Sequence, residues 1–147
     1  MDGVYFDTCL LVKLYLDEPG APAIRELAEA ASVIASSAIA AAEFASALHR
    51  HQRQGRLNGA AMRAVHAQFA SDRDAGLIRL LPLTEALITR TVLAYQRLPA
   101  AVALRAADAL HLATAAEAGF REIHSNDARL LAAAPRFKLK GIDPLQK

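Results

Sequence analysis

The segment VYFDTCLLVKLYLDEPG, residues 4–20, sets the pattern from which the fold is predicted. Its first residues, Val4–Asp7, form a short apolar run that is typical of a buried strand. Thr8 is placed to cap a helix that continues through Leu14 until the DEPG turn stops it. A short strand followed by a helix is the repeating unit of proteins with parallel sheets.

The same alternation recurs along the rest of the chain. Apolar runs predict further strands at residues 32–36, 77–81, 121–124 and 137–142, and the segments between them predict helices at 22–31, 37–55, 59–75, 84–98, 105–118 and 127–134. Strands separated by helices imply a parallel sheet with helices on both faces. Ligands bind such sheets outside the carboxyl ends of the strands, where Asp7 and Asp127 are predicted to lie.

Composition narrows the class of protein. The 147 residues have the length of one domain, and we treat residues 1–147 as a single domain. Hydrophobic residues make up 54% and the formal net charge is only +2, so a packed core is expected, and net charge alone does not indicate a nucleic-acid binder. The single cysteine, Cys9, excludes an internal disulfide and a zinc site built from cysteines.

Nothing in the sequence predicts export or a membrane span. The N-terminus lacks the pattern of a signal peptide. The longest uncharged run, Ala30–Ala42, is shorter than the roughly 20 apolar residues that cross a bilayer. We therefore expect a cytoplasmic protein with no membrane partner.

Four acidic residues stand apart because of their surroundings. Asp7, Glu43 and Asp108 have no charged neighbour within two residues, and Asp127 follows a predicted strand. A carboxylate among apolar residues is costly unless it is paired, hydrogen-bonded or bound to a metal. Asp7 and Asp127 are also good helix N-caps, and salt bridges are an alternative for the other two. One shared site accounts for all four more economically than four separate explanations.

Four converging carboxylates favour divalent-metal chemistry. Without a cation they repel one another, and at least one would tend to stay protonated. Oxygen ligands suit Mg²⁺ or Mn²⁺ better than zinc or copper. One or two such ions would leave positions open for a phosphate group. The rest of the chain then carries an excess of basic residues, which suits a polyanionic ligand.

Four sequence motifs resemble those of PIN-domain ribonucleases, specifically the VapC-type toxins of toxin–antitoxin pairs. In chain order they are VYFDT with LVKLY and DEPG (residues 4–20), SSA through AEF (36–44), RAADALHLA (105–113) and HSNDARL (124–130). Each motif alone is weak. The set covers nearly the whole chain in the family's order and spacing.

The resemblance implies a three-layer α/β/α domain with a five-stranded parallel sheet and a Mg²⁺- or Mn²⁺-dependent endoribonuclease activity on RNA. It implies that Asp7, Glu43, Asp108 and Asp127 are the catalytic and metal-binding quartet. Thr8 and Ser125 match hydroxyl positions that help to order the site, and Asn126 matches a common neighbour of the last acid. The resemblance also implies a homodimer and a small cognate antitoxin.

The chain departs from the family in two places. Some members carry a further acid close after the last aspartate, whereas Ala128 and Arg129 follow here, which leaves the metal count open. Cys9 stands where a small residue, often serine, is usual, and we expect it to be buried and inert. His111 lies one helical turn after Asp108; it is a candidate for supporting the site, but a packing role is favoured.

A basic stretch is the candidate RNA-binding surface. Arg50, Arg53 and Arg56 lie a turn or more beyond Glu43 and are placed to hold phosphates near the acidic residues. The alternative is a solvated helix end, where positive charge complements the helix dipole.

Other functions remain as alternatives. A PIN-like scaffold without activity would serve as a binding or regulatory module, although none of the four acids is lost. Phosphotransfer enzymes are disfavoured, because a haloacid-dehalogenase-type phosphatase needs an aspartate where Cys9 stands and no P-loop motif occurs.

Overall fold

Short strands and longer helices alternate along the chain. The computed structural model describes residues 3–146. The strands are β1 (Val4–Tyr5), β2 (Ile34–Ser37), β3 (Ile78–Leu81), β4 (Glu122–His124) and β5 (Lys140–Ile142). The helices are α1 (Thr8–Tyr15), α2 (Ala21–Ala31), α3 (Ile39–Arg53), α4 (Gly59–Asp74), α5 (Glu85–Arg97), α6 (Ala106–Glu117) and α7 (Ala128–Ala133), and a 3-10 turn spans Ala134–Phe137.

The strands are parallel, but they form two sheets. One sheet has the order β1-β2-β3 and the other pairs β4 with β5. The prediction of a single five-stranded sheet is therefore wrong. The two sheets meet at one bridge between Phe6 and His124, where the Asp7 N–H donates to the His124 carbonyl at 3.1 Å.

The division follows from the length of β1. The Phe6 N–H donates to the Ala35 carbonyl of β2 at 2.9 Å, and one residue later the chain enters α1. A strand this short pairs with β2 on one side. On its other side the chain forms only one bridge to β4 before it turns into the helix. The sheet is interrupted where the chain turns into the first helix.

Several predicted boundaries also differ. Asp7, not Thr8, is the N-cap of α1, and its carboxylate accepts from the Leu10 N–H at 3.3 Å. Ser37 belongs to β2, and its hydroxyl accepts from the Ile39 N–H at the start of α3. The fifth strand begins at Lys140 rather than residue 137, because Lys138 adopts a left-handed conformation after the 3-10 turn.

Helices cover both faces of the sheets. Neighbouring residues of a strand point to opposite faces, and Tyr5 and Phe6 accordingly belong to two different apolar clusters. Phe6 packs with residues of α1 to α4, among them Leu48, and Tyr5 packs with residues of α5 to α7, among them Leu112. The predicted α/β class, with parallel strands between helices, is confirmed. No helix of residues 3–146 is long and apolar enough to cross a membrane.

Candidate active site

Four elements bring the isolated carboxylates to the carboxyl ends of the strands. Asp7 follows β1 and caps α1, and Asp127 follows β4 and caps α7 with its Oδ1, which accepts from the Arg129 N–H at 2.9 Å. Glu43 lies in the second turn of α3, and Asp108 lies in the first turn of α6. Asp7 and Asp127 are thus N-caps and share an edge of the molecule with the other two.

All four carboxylates line one cavity of about 710 Å³. Thr8 and Asn126 also line it, and Ser125 is buried directly behind it, hydrogen-bonded to Asp7. Of the basic stretch, Arg50 lines the cavity, whereas Arg53 and Arg56 are exposed beyond it, at the end of α3 and in the following loop. The structure therefore brings the predicted acids together and separates the three arginines.

Asp7 is the most buried of the four acids, with 5% of its surface exposed. Its Oδ2 accepts a hydrogen bond from the Ser125 hydroxyl, and its Oδ1 lies 2.7 Å from the Cys9 Sγ. The Ser125 hydroxyl also accepts from the Asp127 N–H at 2.9 Å, so it links two of the acids. Burial raises the pKa of the Asp7 carboxyl, and the Cys9 and Ser125 hydrogen bonds offset part of that rise.

Glu43 is partly exposed and is held through a single oxygen. Its Oε1 accepts from the Thr8 hydroxyl at 2.8 Å and from His111 Nε2 at 2.7 Å. Burial acts to raise the pKa of the Glu43 carboxyl, but hydrogen bonding and charge from His111, with the Thr8 hydroxyl, outweigh it and lower the pKa. A packing role alone, favoured from the sequence, does not account for these contacts of His111.

Arg105 joins the other two acids. Its Nε donates to Asp108 Oδ2 at 3.3 Å, and its NH2 group donates to Asp127 Oδ2 at 3.2 Å. Its side chain is 68% exposed, at the mouth of the cavity. Burial raises the pKa of the Asp108 carboxyl, and the Arg105 guanidinium acts in the opposite direction.

Cys9 lines the cavity and is only partly buried, contrary to the expectation of a buried residue. Its Sγ lies 2.7 Å from both Asp7 Oδ1 and Asn126 Oδ1, and its single S–H can donate to only one of them at a time. Burial and the Asp7 charge raise the pKa of the thiol, so Cys9 is a neutral hydrogen-bond donor rather than a thiolate.

The sequence analysis did not single out three charged residues that line the cavity, Lys13, Glu18 and Arg105. Lys13 Nζ lies 4.0 Å from Glu18 Oε1. His51 Nε2 lies 3.8 Å from the other Glu18 oxygen. The available signal was a lysine within the otherwise apolar helical run LLVKLY.

The donor set fits a hard divalent cation. The carboxylates supply only oxygen atoms, and the neighbouring thiol is protonated, which suits Mg²⁺ or Mn²⁺ rather than zinc. Within residues 3–146 no three acidic, histidine or cysteine side chains already stand in a metal-binding arrangement. Each of the four carboxylates instead accepts hydrogen bonds from protein donors.

A family model of the PIN domain matches residues 4–135. The chain belongs to the PIN domain family. The search of curated proteins found no match.

Solved structures share the fold of this PIN domain at low sequence identity. VapC20 of Mycobacterium tuberculosis, a toxin described as cleaving the sarcin-ricin loop, is 18% identical, with 88% of this chain and 94% of its own covered and a TM-score of 0.70. FitAcB of Neisseria gonorrhoeae is 17% identical, with 96% and 97% covered and a TM-score of 0.69. FitAB bound to an IR36 DNA fragment is 17% identical, with 98% and 96% covered and a TM-score of 0.70. At these identities the likeness is one of fold.

Proposed function

We propose that this PIN domain is a Mg²⁺- or Mn²⁺-dependent endoribonuclease and the toxin of a toxin–antitoxin pair. The observation that carries the proposal is the cavity lined by Asp7, Glu43, Asp108 and Asp127. These acids come from four separate segments of the sequence. The secondary structure of each segment does not by itself explain why the four side chains lie together. The four motifs of the VapC-type toxins and the likeness to VapC20 support the same assignment.

The four carboxylates are the groups that would hold one or two divalent ions. A bound ion supplies activation of water and stabilisation of the leaving oxygen in phosphodiester hydrolysis. The chain's own contribution is to fix the carboxylates before the substrate arrives. Ser125 and Cys9 hold Asp7, Thr8 holds Glu43, and the backbone of α7 holds Asp127. Asn126 is the alternative acceptor for the Cys9 S–H, which it shares with Asp7.

Basic side chains at the same cavity would position the RNA. Lys13, Arg50 and Arg105 line it together with the acids, and the exposed Arg105 is placed to contact phosphate oxygens. Arg53 and Arg56 remain candidates for contacts with parts of the RNA that lie outside the cavity. The proposed substrate is RNA because the family resemblance points to it.

The test compares two Asp→Asn variants of the purified, antitoxin-free protein. Asp7→Asn keeps the size and most hydrogen bonds of the side chain, and we expect it to abolish Mg²⁺-dependent cleavage of total RNA while the protein stays folded. Asp74→Asn removes an exposed carboxylate at the end of α4 and should cleave like the wild type. Sequencing of the RNA ends identifies the cut sites.

The outcomes separate the two candidate functions. Cleavage by Asp7→Asn at the wild-type rate would overturn the assignment of the site. A folded wild-type protein that cuts no RNA and binds no divalent metal would instead favour a non-catalytic binding module.

The proposed function also implies protein partners and a cellular location. We expect a small cognate antitoxin and a homodimer in the cytoplasm, where an RNA-cleaving toxin finds its substrate. Several large apolar side chains of α5 are about half exposed, among them Ile88, Val92 and Leu93, and they are available for contact with another chain. Sedimentation velocity of the purified protein tests the homodimer, and a monomer at micromolar concentration would contradict it.

A further inference from the structure

A buried chain of hydrogen bonds reaches Glu43 from the interior of the protein. The Tyr5 hydroxyl lies 2.9 Å from His111 Nδ1, and His111 Nε2 lies 2.7 Å from Glu43 Oε1. Tyr5 and His111 are 0% and 1% exposed, so both side chains are fixed by packing. Their rings also meet edge to face, with centroids 6.0 Å apart.

The chemistry of these groups sets the direction of the chain. A carboxylate only accepts hydrogen bonds, so His111 must carry a hydrogen on Nε2 to bond Glu43. In the neutral ring Nδ1 is then an acceptor, and the Tyr5 O–H donates to it. In the neutral ring Tyr5 therefore favours the tautomer that donates to Glu43, and in the protonated ring Nε2 donates to Glu43 as well.

The contacts also decide which oxygen of Glu43 is available. Both hydrogen bonds to the carboxylate, from Thr8 and from His111, end on Oε1. Among the described residues Oε2 receives no protein donor within hydrogen-bond distance, while Glu43 lines the cavity. A carboxylate held by one oxygen in this way cannot turn freely about its last bond.

We propose that His111, backed by Tyr5, is a positioning residue that holds Glu43 with Oε2 turned towards a divalent cation. The inference rests on the proposed function, because it assigns Glu43 a metal to meet. It differs from a packing role in one respect: the N–H of the ring, and not its volume, is what the site requires. Outer groups that orient metal ligands commonly contribute 10- to 100-fold to metal affinity.

The experiment measures Mn²⁺ binding by calorimetry, without RNA, together with the melting temperature. Removal of the donor in His111→Leu should raise the Mn²⁺ Kd about tenfold or more. Tyr5→Phe keeps the packing but removes the hydroxyl, and it should raise the Kd by a smaller factor. His111→Gln restores an N–H near the position of Nε2 and should recover most of the affinity.

Thr91→Val is the matched control. Thr91 is also buried, and its hydroxyl donates to the Leu87 carbonyl within α5, where it does not line the cavity. Its loss should lower the melting temperature slightly and leave the Mn²⁺ Kd at the wild-type value.

Two results would overturn the inference. If the folded His111 and Tyr5 variants bind Mn²⁺ like the wild type, the chain of hydrogen bonds is structural and the proposed function stands. If the wild type itself binds no Mn²⁺, the proposed function fails and this inference fails with it. Should His111→Leu not fold, Tyr5→Phe and His111→Gln decide the matter.

Discussion

Single residues at the candidate site combine a structural role with a place in the lining of the cavity. Asp7 and Asp127 are helix N-caps, which was the conventional explanation for each of them, and they also line the cavity. Capping fixes their carboxylates against the backbone of α1 and α7. The two interpretations of an acid at a strand end are therefore compatible, and an N-cap is a means of presenting a ligand at the carboxyl edge of a sheet.

The first prediction concerns the stability of Asp7→Asn without metal. Because burial raises the pKa of Asp7 in the folded protein, ionised Asp7 destabilises the native state at neutral pH. Below the ordinary value of 3.8 the group is protonated in both states and this cost is absent. We expect Asp7→Asn to melt roughly 2–4 °C higher than the wild type at pH 7, with the difference shrinking as the pH falls.

Thermal melts in a chelating buffer across this range provide the measurement, with Asp74→Asn as the control of equal charge change. A wild type that is more stable than Asp7→Asn at pH 7 without metal would show that the hydrogen bonds to the carboxylate outweigh its burial.

The second prediction concerns Arg105, which occupies carboxylate oxygens that a cation would need. Replacing it by alanine frees Asp108 and Asp127 and removes a repelling charge. Because its side chain is largely exposed, the effect should be modest, a decrease of about two- to fivefold in the Mn²⁺ Kd. Calorimetry measures it, with Arg97→Ala on the exposed surface of α5 as the control. A weaker Mn²⁺ affinity in Arg105→Ala would mean that the guanidinium organises the two acids instead of competing for them.

The positions of strands and helices were predictable, because hydrophobic periodicity and capping residues determine them. The pairing of the strands was less predictable, because backbone hydrogen bonds determine it. The strands and helices follow the apolar runs and stop signals of the sequence, and Glu43 and Asp108 are conspicuous because alanines surround them. The separation of β1 from β4 depends on backbone bonds at Phe6 and Asp7, which no side-chain pattern records. Lys13 and Glu18 were missed for a similar reason: their place at the cavity depends on how α1 packs against α3.

The third prediction tests the packing of β5 against α7. A Cβ added at Gly141 would lie 2.9 Å from Leu131 Cδ2 and 3.1 Å from the Leu131 carbonyl oxygen. Since the carbonyl belongs to the helix that carries Asp127, the backbone itself has to shift. Gly141→Ala should lower the free energy of unfolding by about 1–3 kcal/mol.

Gly59→Ala is the control in urea unfolding. An added Cβ there meets only the ends of the flexible Arg63 and Gln52 side chains, in the first turn of α4. That variant should be neutral or slightly more stable, since alanine favours helix by up to about 1 kcal/mol. Equal stability of the two variants would contradict the close contact between β5 and α7.

Over the whole molecule, charge is less segregated than the sequence suggested. The composition favoured an acidic pocket within a basic surface, but Lys13, Arg50 and Arg105 line the cavity together with the acids. Acidic and basic side chains thus share the lining of one cavity of about 710 Å³. This arrangement suits a substrate that is held and cut at the same place.

The fourth prediction follows from that mixture and concerns the salt dependence of RNA binding. Each basic side chain that neutralises a phosphate releases counterions from the RNA. Removing one such side chain therefore reduces the magnitude of the slope of log affinity against log salt concentration by about 1. Arg50 lines the cavity, whereas Arg56 lies in the loop beyond α3. In the Asp7→Asn background, which is expected to leave the RNA intact, Arg50→Ala should weaken binding of a short RNA hairpin and reduce the slope. Arg56→Ala should change both less. Equal effects of the two substitutions would extend the RNA surface along the whole basic stretch, and no effect of Arg50→Ala would separate the RNA path from the cavity.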